Sequence, residues 1–214
     1  MDEEITIINT NTRNEKIKNF FIKNKKKLII SISFLSVLIF IFFIYQDFKN
    51  KNKVKLAEEY NLITINFFSS DKKNVENQLV NIIMKKDQTY SPLALYFLID
   101  NNIITEKDKL NKLFDIIINE VKLEKEIKNL LIYKKALYNS EFQSENDLIK
   151  TLNPILNSKS RWRSHALYLL AEYFYNKNEK QKSKEFFNKI IALENSNNKI
   201  KLEAQKRLNR DFSE

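Results

Sequence analysis

A single histidine, His165, supplies the only imidazole in 214 residues. Alone it cannot build a histidine-based metal site, and any Ser-His-Asp relay would have to run through it. Cysteine is absent, which removes thiol nucleophiles, disulfides and Cys-ligated zinc. Glycine is absent as well. A phosphate-binding loop and a dinucleotide fingerprint both need glycine where backbone meets phosphate, and an EF-hand needs it at its sharp turn. What remains for acid–base chemistry is a carboxylate pair drawn from 27 Asp and Glu. No loop is long or distinctive enough to hold one. The sequence therefore predicts a protein that is not an enzyme and takes no metal or cofactor.

The same lack of glycine disfavours tight hairpins, and so an all-β fold. Lys+Arg number 37 and Asp+Glu 27, a net charge of +10. Lys (32), Asn (28) and Ile (28) dominate the composition. Their codons are A/T-rich, so base composition accounts for part of the charge and part of the missing glycine. The charges after residue 45 are interleaved, as in Lys177 to Lys189, and no nucleic-acid-binding motif accompanies them. No nucleic-acid partner is expected.

Leu28 to Tyr45 is 18 residues without a charge. As a helix it spans roughly 27 Å, close to the hydrocarbon thickness of a bilayer. It is apolar on every side, and Gln46-Asp47-Phe48-Lys49 offers no small-residue cleavage site. The expectation is an uncleaved single-pass anchor. Six lysines precede it (Lys16, Lys18, Lys23, Lys25, Lys26, Lys27) and four follow (Lys49, Lys51, Lys53, Lys55). That bias favours a cytoplasmic N-terminus and a soluble part across the membrane. The layout is then a cytoplasmic tail over 1–27, disordered over 1–15, a membrane helix over 28–45 and a helical domain over 46–214.

That domain shows helical spacing throughout. Val75, Leu79, Ile82 and Ile83 form one apolar stripe, and Leu110, Leu113, Phe114, Ile117 and Val121 a second. Ile127, Leu130, Leu131 and Tyr138 form a third, Ala166, Leu167, Leu170, Ala171 and Phe174 a fourth, and Ser183, Phe186, Phe187, Ile190 and Ile191 a fifth. Ser91 before Pro92, Thr105 with Asp108, Ser144 with Asp147, Ser160 and Ser196 read as helix starts. Asparagines close the stripes at Asn101-Asn102, Asn139, Asn157, Asn176 with Asn178, and Asn195 to Asn198. Asparagine is the residue next best to glycine in a left-handed helix stop. The predicted pairs are 47–68 with 72–87, 91–101 with 106–121, 124–138 with 145–156 and 161–176 with 179–193, followed by a helix over 197–210. Each pair takes roughly 30–35 residues, the period of a two-helix solenoid.

Leu167 to Ile190 resembles a tetratricopeptide (TPR) repeat. Leu167, Leu170, Ala171 and Phe174 match its first helix, and Ser183, Phe187 and Ile190 its second. Asn178 and Ile190 depart from the family's glycine and alanine. Over nearly its full length the chain resembles a bacterial inner-membrane group with a short tail, one anchor and a degenerate TPR domain. That group is the ancillary subunit of the Sec translocon, and it shares its TPR domain with a cell-division coordinator. The residues carrying the resemblance are the basic tail, Tyr90-Ser-Pro-Leu-Ala94, Leu152-Asn-Pro-Ile-Leu156, Arg161-Trp-Arg163 and Ala204-Gln-Lys-Arg-Leu208, in that order.

The fold this implies is all-α, a single transmembrane helix followed by a TPR-like antiparallel helix-pair solenoid. The implied role is protein binding on the periplasmic face of the inner membrane, linking Sec translocon components with periplasmic chaperones or translocating chains. The alternative is a scaffold for another envelope process, such as cell division or envelope assembly. By helical phase the groove lining in the clearest repeat is His165, Tyr168, Glu172, Tyr175 and Asn176. Trp162 reads as a packing anchor.

Overall fold

The computed structural model describes residues 2–212. Regular structure among them is entirely helical: α1 (Asp2–Ile65), a 3-10 turn (Phe67–Ser69), α2 (Lys72–Met84), α3 (Tyr90–Asp100), α4 (Lys107–Glu120), α5 (Lys125–Asn139), α6 (Glu145–Leu156), α7 (Arg163–Asn176), α8 (Lys180–Ala192) and α9 (Asn198–Asp211). The chain divides into two compact units, Met1–Leu56 and Ala57–Glu214.

In the first unit α1 starts at Asp2, so residues 2–15 are helical where the sequence suggests a disordered tail. Met1 lies outside the described residues. Neither proline nor glycine occurs between residues 2 and 65 to stop a helix. Phe34, Leu35, Val37 and Phe43 point to different sides and are all exposed, at 65, 58, 52 and 63%. Among the described residues α1 is the one helix long and apolar enough to cross a membrane.

The second unit is a run of short helices packed on sequence neighbours. α2 packs on α3, α5 on α6 and α7 on α8. α4 lies against α2, α3 and α5, and α9 against α8 and α7. The later two predicted pairs are therefore present, but the first two are offset by one helix. The reason lies in residues 85–91. Lys86 takes a left-handed conformation (φ 54°) and reverses the chain. Ser91, fully buried in the first turn of α3, then donates its hydroxyl to the carbonyls of Ile82 and Ile83. A small polar residue at this crossing lets α3 fold directly back on α2. Ser91 thus joins two helices, and α3 begins at Tyr90 with Thr89 at the cap.

Other predicted caps divide similarly. Ser144 caps α6, accepting from the Asp147 N–H and donating to its carboxylate at 2.6 Å. α4 begins at Lys107 with Glu106, not Thr105, at the cap and no side-chain cap bond. Asn197, not Ser196, caps α9; its Oδ1 accepts from the N–H groups of Lys199 and Ile200. Asn102 (φ 48°) and Asn178 (φ 62°) take the left-handed stop position. At each, a wrapped hydrogen bond closes the helix end: Ile103 N–H to Leu98 O at 3.0 Å, and Glu179 N–H to Phe174 O at 2.9 Å. Asn139 does something else. It is fully buried and exchanges two amide hydrogen bonds with Asn111 of α4.

Several tertiary bonds fall at a sequence separation of 33 to 35, among others that run from 8 to 37. Lys109 pairs with Glu76, 33 residues back. Ser160 bonds Glu126 at a separation of 34, Asn197 bonds Ser164 at 33, and Arg207 bonds Glu172 at 35. Each of these four joins a helix or its start to the helix two before it.

Candidate functional site

α7 is the best-buried helix of the second unit, and its neighbours decide what its surface can do. On one side lies α8. Ala171 and Ser183 are fully buried at their crossing, and the Ser183 hydroxyl donates to the Ala171 carbonyl at 2.8 Å. Both are among the positions that carry the resemblance to a TPR repeat. Leu167, Ala171, Phe187, Ile190 and Ala204 form the core beneath it. Burying a ring such as Phe187 stabilises by roughly 1.5–3 kcal/mol.

On its other sides α7 meets α5 and α9. Its start is tied to both, through Ser160 Oγ to Glu126 at 3.0 Å and Asn197 N–H to Ser164 Oγ at 3.3 Å. Its end lies beside the end of α5 across a cleft, and beside the end of α9 through the Tyr175–Phe212 ring contact at 5.9 Å. The three helices thus run in the same direction, side by side.

The five predicted groove residues separate into three environments on this face. Tyr168, Glu172 and Tyr175 come together around Arg207 of α9. Arg207 Nη2 donates to Glu172 Oε2 at 2.9 Å, and its Nε lies 2.8 Å from Oε1, close for an ion pair though poorly aligned for a hydrogen bond. The guanidinium lies over the Tyr175 ring, 4.3 Å from the centroid. Asp211 takes Nη1 at 2.6 Å. Burial, reinforced by the Glu172 carboxylate, pushes the Tyr168 hydroxyl up to about 12. Tyr168 also packs edge-on against Phe187 at 5.6 Å. The Arg210 hydrogen bond, with Arg207 nearby, holds the Asp211 carboxyl below its ordinary range.

His165 sits elsewhere, in a ring cluster with Tyr133 of α5 and Trp162. Trp162 stacks on Tyr133 at 5.8 Å, and His165 lies 5.0 Å from the indole. Burial lowers the His165 pKa; the Arg161 backbone opposes this weakly. Its Nδ1 is buried without a hydrogen-bond partner.

Asn176 is exposed on the third side. There Leu137 of α5, with Ser140 and Glu141 just past its end, faces Leu169, Glu172, Tyr173, Asn176 and Lys177 across an open cleft of about 460 Å³. Its floor is apolar: Leu169 and Tyr173 are 8 and 7% exposed, and Leu137 stands open at 48%. The Tyr173 hydroxyl is held by the Gln143 carbonyl at 3.1 Å. Polar groups ring this floor, an arrangement suited to a side chain of another protein. Among the described residues no group of three or more His, Asp or Glu side chains is disposed to hold a metal.

Helical phase on α7 alone brings Glu172 and Asn176 to the cleft but misses Leu137, Glu141 and Tyr173. It also misses Arg207. One signal was available for that residue: the chain has five arginines against 32 lysines. An arginine against that background marks a place where a planar, two-pronged donor is needed.

The chain matches no family model, no curated protein and no solved structure.

Proposed function

We propose that the protein is a membrane-anchored, TPR-like adaptor that binds protein segments through the face built by α5, α7 and α9. The observation that carries this is the open cleft between α5 and α7, with its apolar floor and polar rim. The near-constant separation of interhelical bonds, 33 to 35 residues for those tying α5, α7 and α9, supports a solenoid of helix pairs. The all-round apolar surface of residues 34–45 supports the tether. The assignment to the periplasmic face of the inner membrane, and to Sec translocon components and periplasmic chaperones, rests on the order of sequence motifs.

A photo-crosslinking amino acid at Leu137 or Asn176, in cells, tests the reading. The expected product is an adduct with a translocon component or a translocating chain. Adducts confined to division or assembly proteins would move the adaptor to that process, and no protein adduct from either position would overturn the groove. Protease added to spheroplasts should cut the chain after residue 45; full protection would reverse the orientation.

A further inference from the structure

The starts of α5, α7 and α9 form one continuous edge, which the groove reading leaves unused. Glu126 on α5 accepts from Ser160 Oγ and from the Arg161 N–H, and the Asn197 N–H donates to Ser164. Segments 121–128, 157–164 and 193–201 are thereby fixed side by side. Together they hold eight Lys/Arg and three Asp/Glu, a net of +5. Residues 57–214 as a whole hold 26 Lys/Arg and 22 Asp/Glu, a net of +4. The positive excess of the unit therefore sits on this edge, and the remainder is close to neutral. Interleaving along the sequence conceals this concentration.

The cations are available. Lys122, Lys125, Lys159 and Lys199 are exposed. With Lys128 and Lys201 they form no ion pair with a carboxylate among the described residues. Only Arg161 is engaged, at 3.5 Å from Glu126.

We propose that this edge docks on an anionic lipid bilayer. Three features favour that partner. The positive groups spread over three neighbouring helix starts, roughly 20 Å at ordinary helix spacing, without a concave cradle. Several backbone donors that could cradle a single phosphate are taken: Arg161 N–H by Glu126, Lys199 and Ile200 N–H by Asn197. Such a layout matches a plane of headgroups. Second, Ile127 is 39% exposed and Trp162 half-buried on the same edge, which suits the headgroup level of a bilayer. Trp162 also has one face stacked on Tyr133, which disfavours a platform for unpaired bases. Third, an anchored chain holds the bilayer at high local concentration, so modest attraction suffices. This third point rests on the membrane tether proposed above.

The test uses the full chain in nanodiscs of phosphatidylcholine alone, or with about 30% phosphatidylglycerol, at about 0.1 M salt. Lysine acylation rates are read by mass spectrometry. Lys122, Lys125, Lys159 and Lys199 should be modified at least about four-fold more slowly in the anionic discs, and about 0.5 M salt should abolish the difference. Lys180, at the start of α8, should not change. In a variant with Lys122→Gln, Lys125→Gln, Lys159→Gln and Lys199→Gln, protection of Lys128 and Lys201 should disappear. Equal rates in both lipids overturn the proposal, as does protection of these lysines by duplex DNA at about 0.15 M salt without protection by anionic discs. A chain that stays outside the discs refutes the tether separately. The footprint is then read with the same chain mixed with anionic vesicles, where protection supports the edge and equal rates overturn it.

Discussion

Arg207 and Glu172 face each other across the α7–α9 interface, 35 residues apart in sequence, with N···O separations of 2.8 and 2.9 Å. The side chain of Arg207 is 13% exposed, and Tyr175, Phe187 and Asp211 surround it. Glu172 therefore serves two purposes. It borders the open cleft toward α5 and fastens α9 on its other side.

Arg207→Ala is expected to destabilise the second unit by about 2 kcal/mol. It strips the packing over Tyr175 and leaves the Glu172 carboxylate without its cation, while Asp211 keeps its pairing with Arg210. Thermal unfolding of the full chain in detergent, followed by circular dichroism, should shift down by roughly 4–8 °C. Arg207→Lys should recover less than half, because a point charge cannot reproduce the two-pronged contact. A shift below 1 °C for Arg207→Ala would mean that α9 is held by its apolar contacts alone.

Lys86→Gly should stabilise by about 0.5–1 kcal/mol. Lys86 holds φ at 54°, which a side-chain-bearing residue adopts at a cost. Its ion pair with Glu120 is half-exposed on both sides and offsets little of that gain. Asn178→Gly, at φ 62°, should change stability by only a few tenths of a kcal/mol, since asparagine tolerates the conformation. Urea midpoints of the two variants should rank in that order, and the reverse ranking would refute the strain argument.

His165 should make folding pH-dependent in one direction. Burial lowers its pKa in the folded state from 6.5, so the unfolded chain binds the proton more tightly. The stabilising contribution is complete above the unfolded value and is lost as pH falls from there through the lower folded value. His165→Phe keeps a ring against Trp162 and removes the titration. The difference in urea midpoint between variant and parent should grow in the variant's favour from about pH 7.5 to about pH 5.5. A pH-independent difference would show that the imidazole is not desolvated.

The later helices were legible because their apolar stripes and small residues agree. Leu167, Ala171, Ser183 and Phe187 each occupy the position that spacing gives them, buried between α7 and α8. The first half misleads because the stripe at Val75–Ile83 says which side of α2 is buried but not which helix covers it. That choice came from Lys86 and Ser91, a left-handed lysine and a buried hydroxyl, and neither has a distinctive signature. The face of α7 was legible only as one helix. The cleft is made with Leu137 of α5 and Glu141 just past its end, and the Glu172 clasp with Arg207 of α9. Periodicity within a helix is silent about the helices beside it. The basic edge escaped for the same reason, since Lys122, Lys159 and Lys199 meet only after two full helix pairs have folded.

The named side-chain bonds between helices of the second unit join positions no more than 37 residues apart, from Ser91–Ile83 at 8 to Lys182–Glu145 at 37. None of these bonds ties its first helices to its last. Under tension such a chain yields as a zipper does: α9 comes away once the Arg207 clasp parts, then α8 and α7, each step leaving the helices before it in place. Held at one end and pulled at the other by a bound segment, the second unit would lengthen in stages and rewind from whatever remained folded.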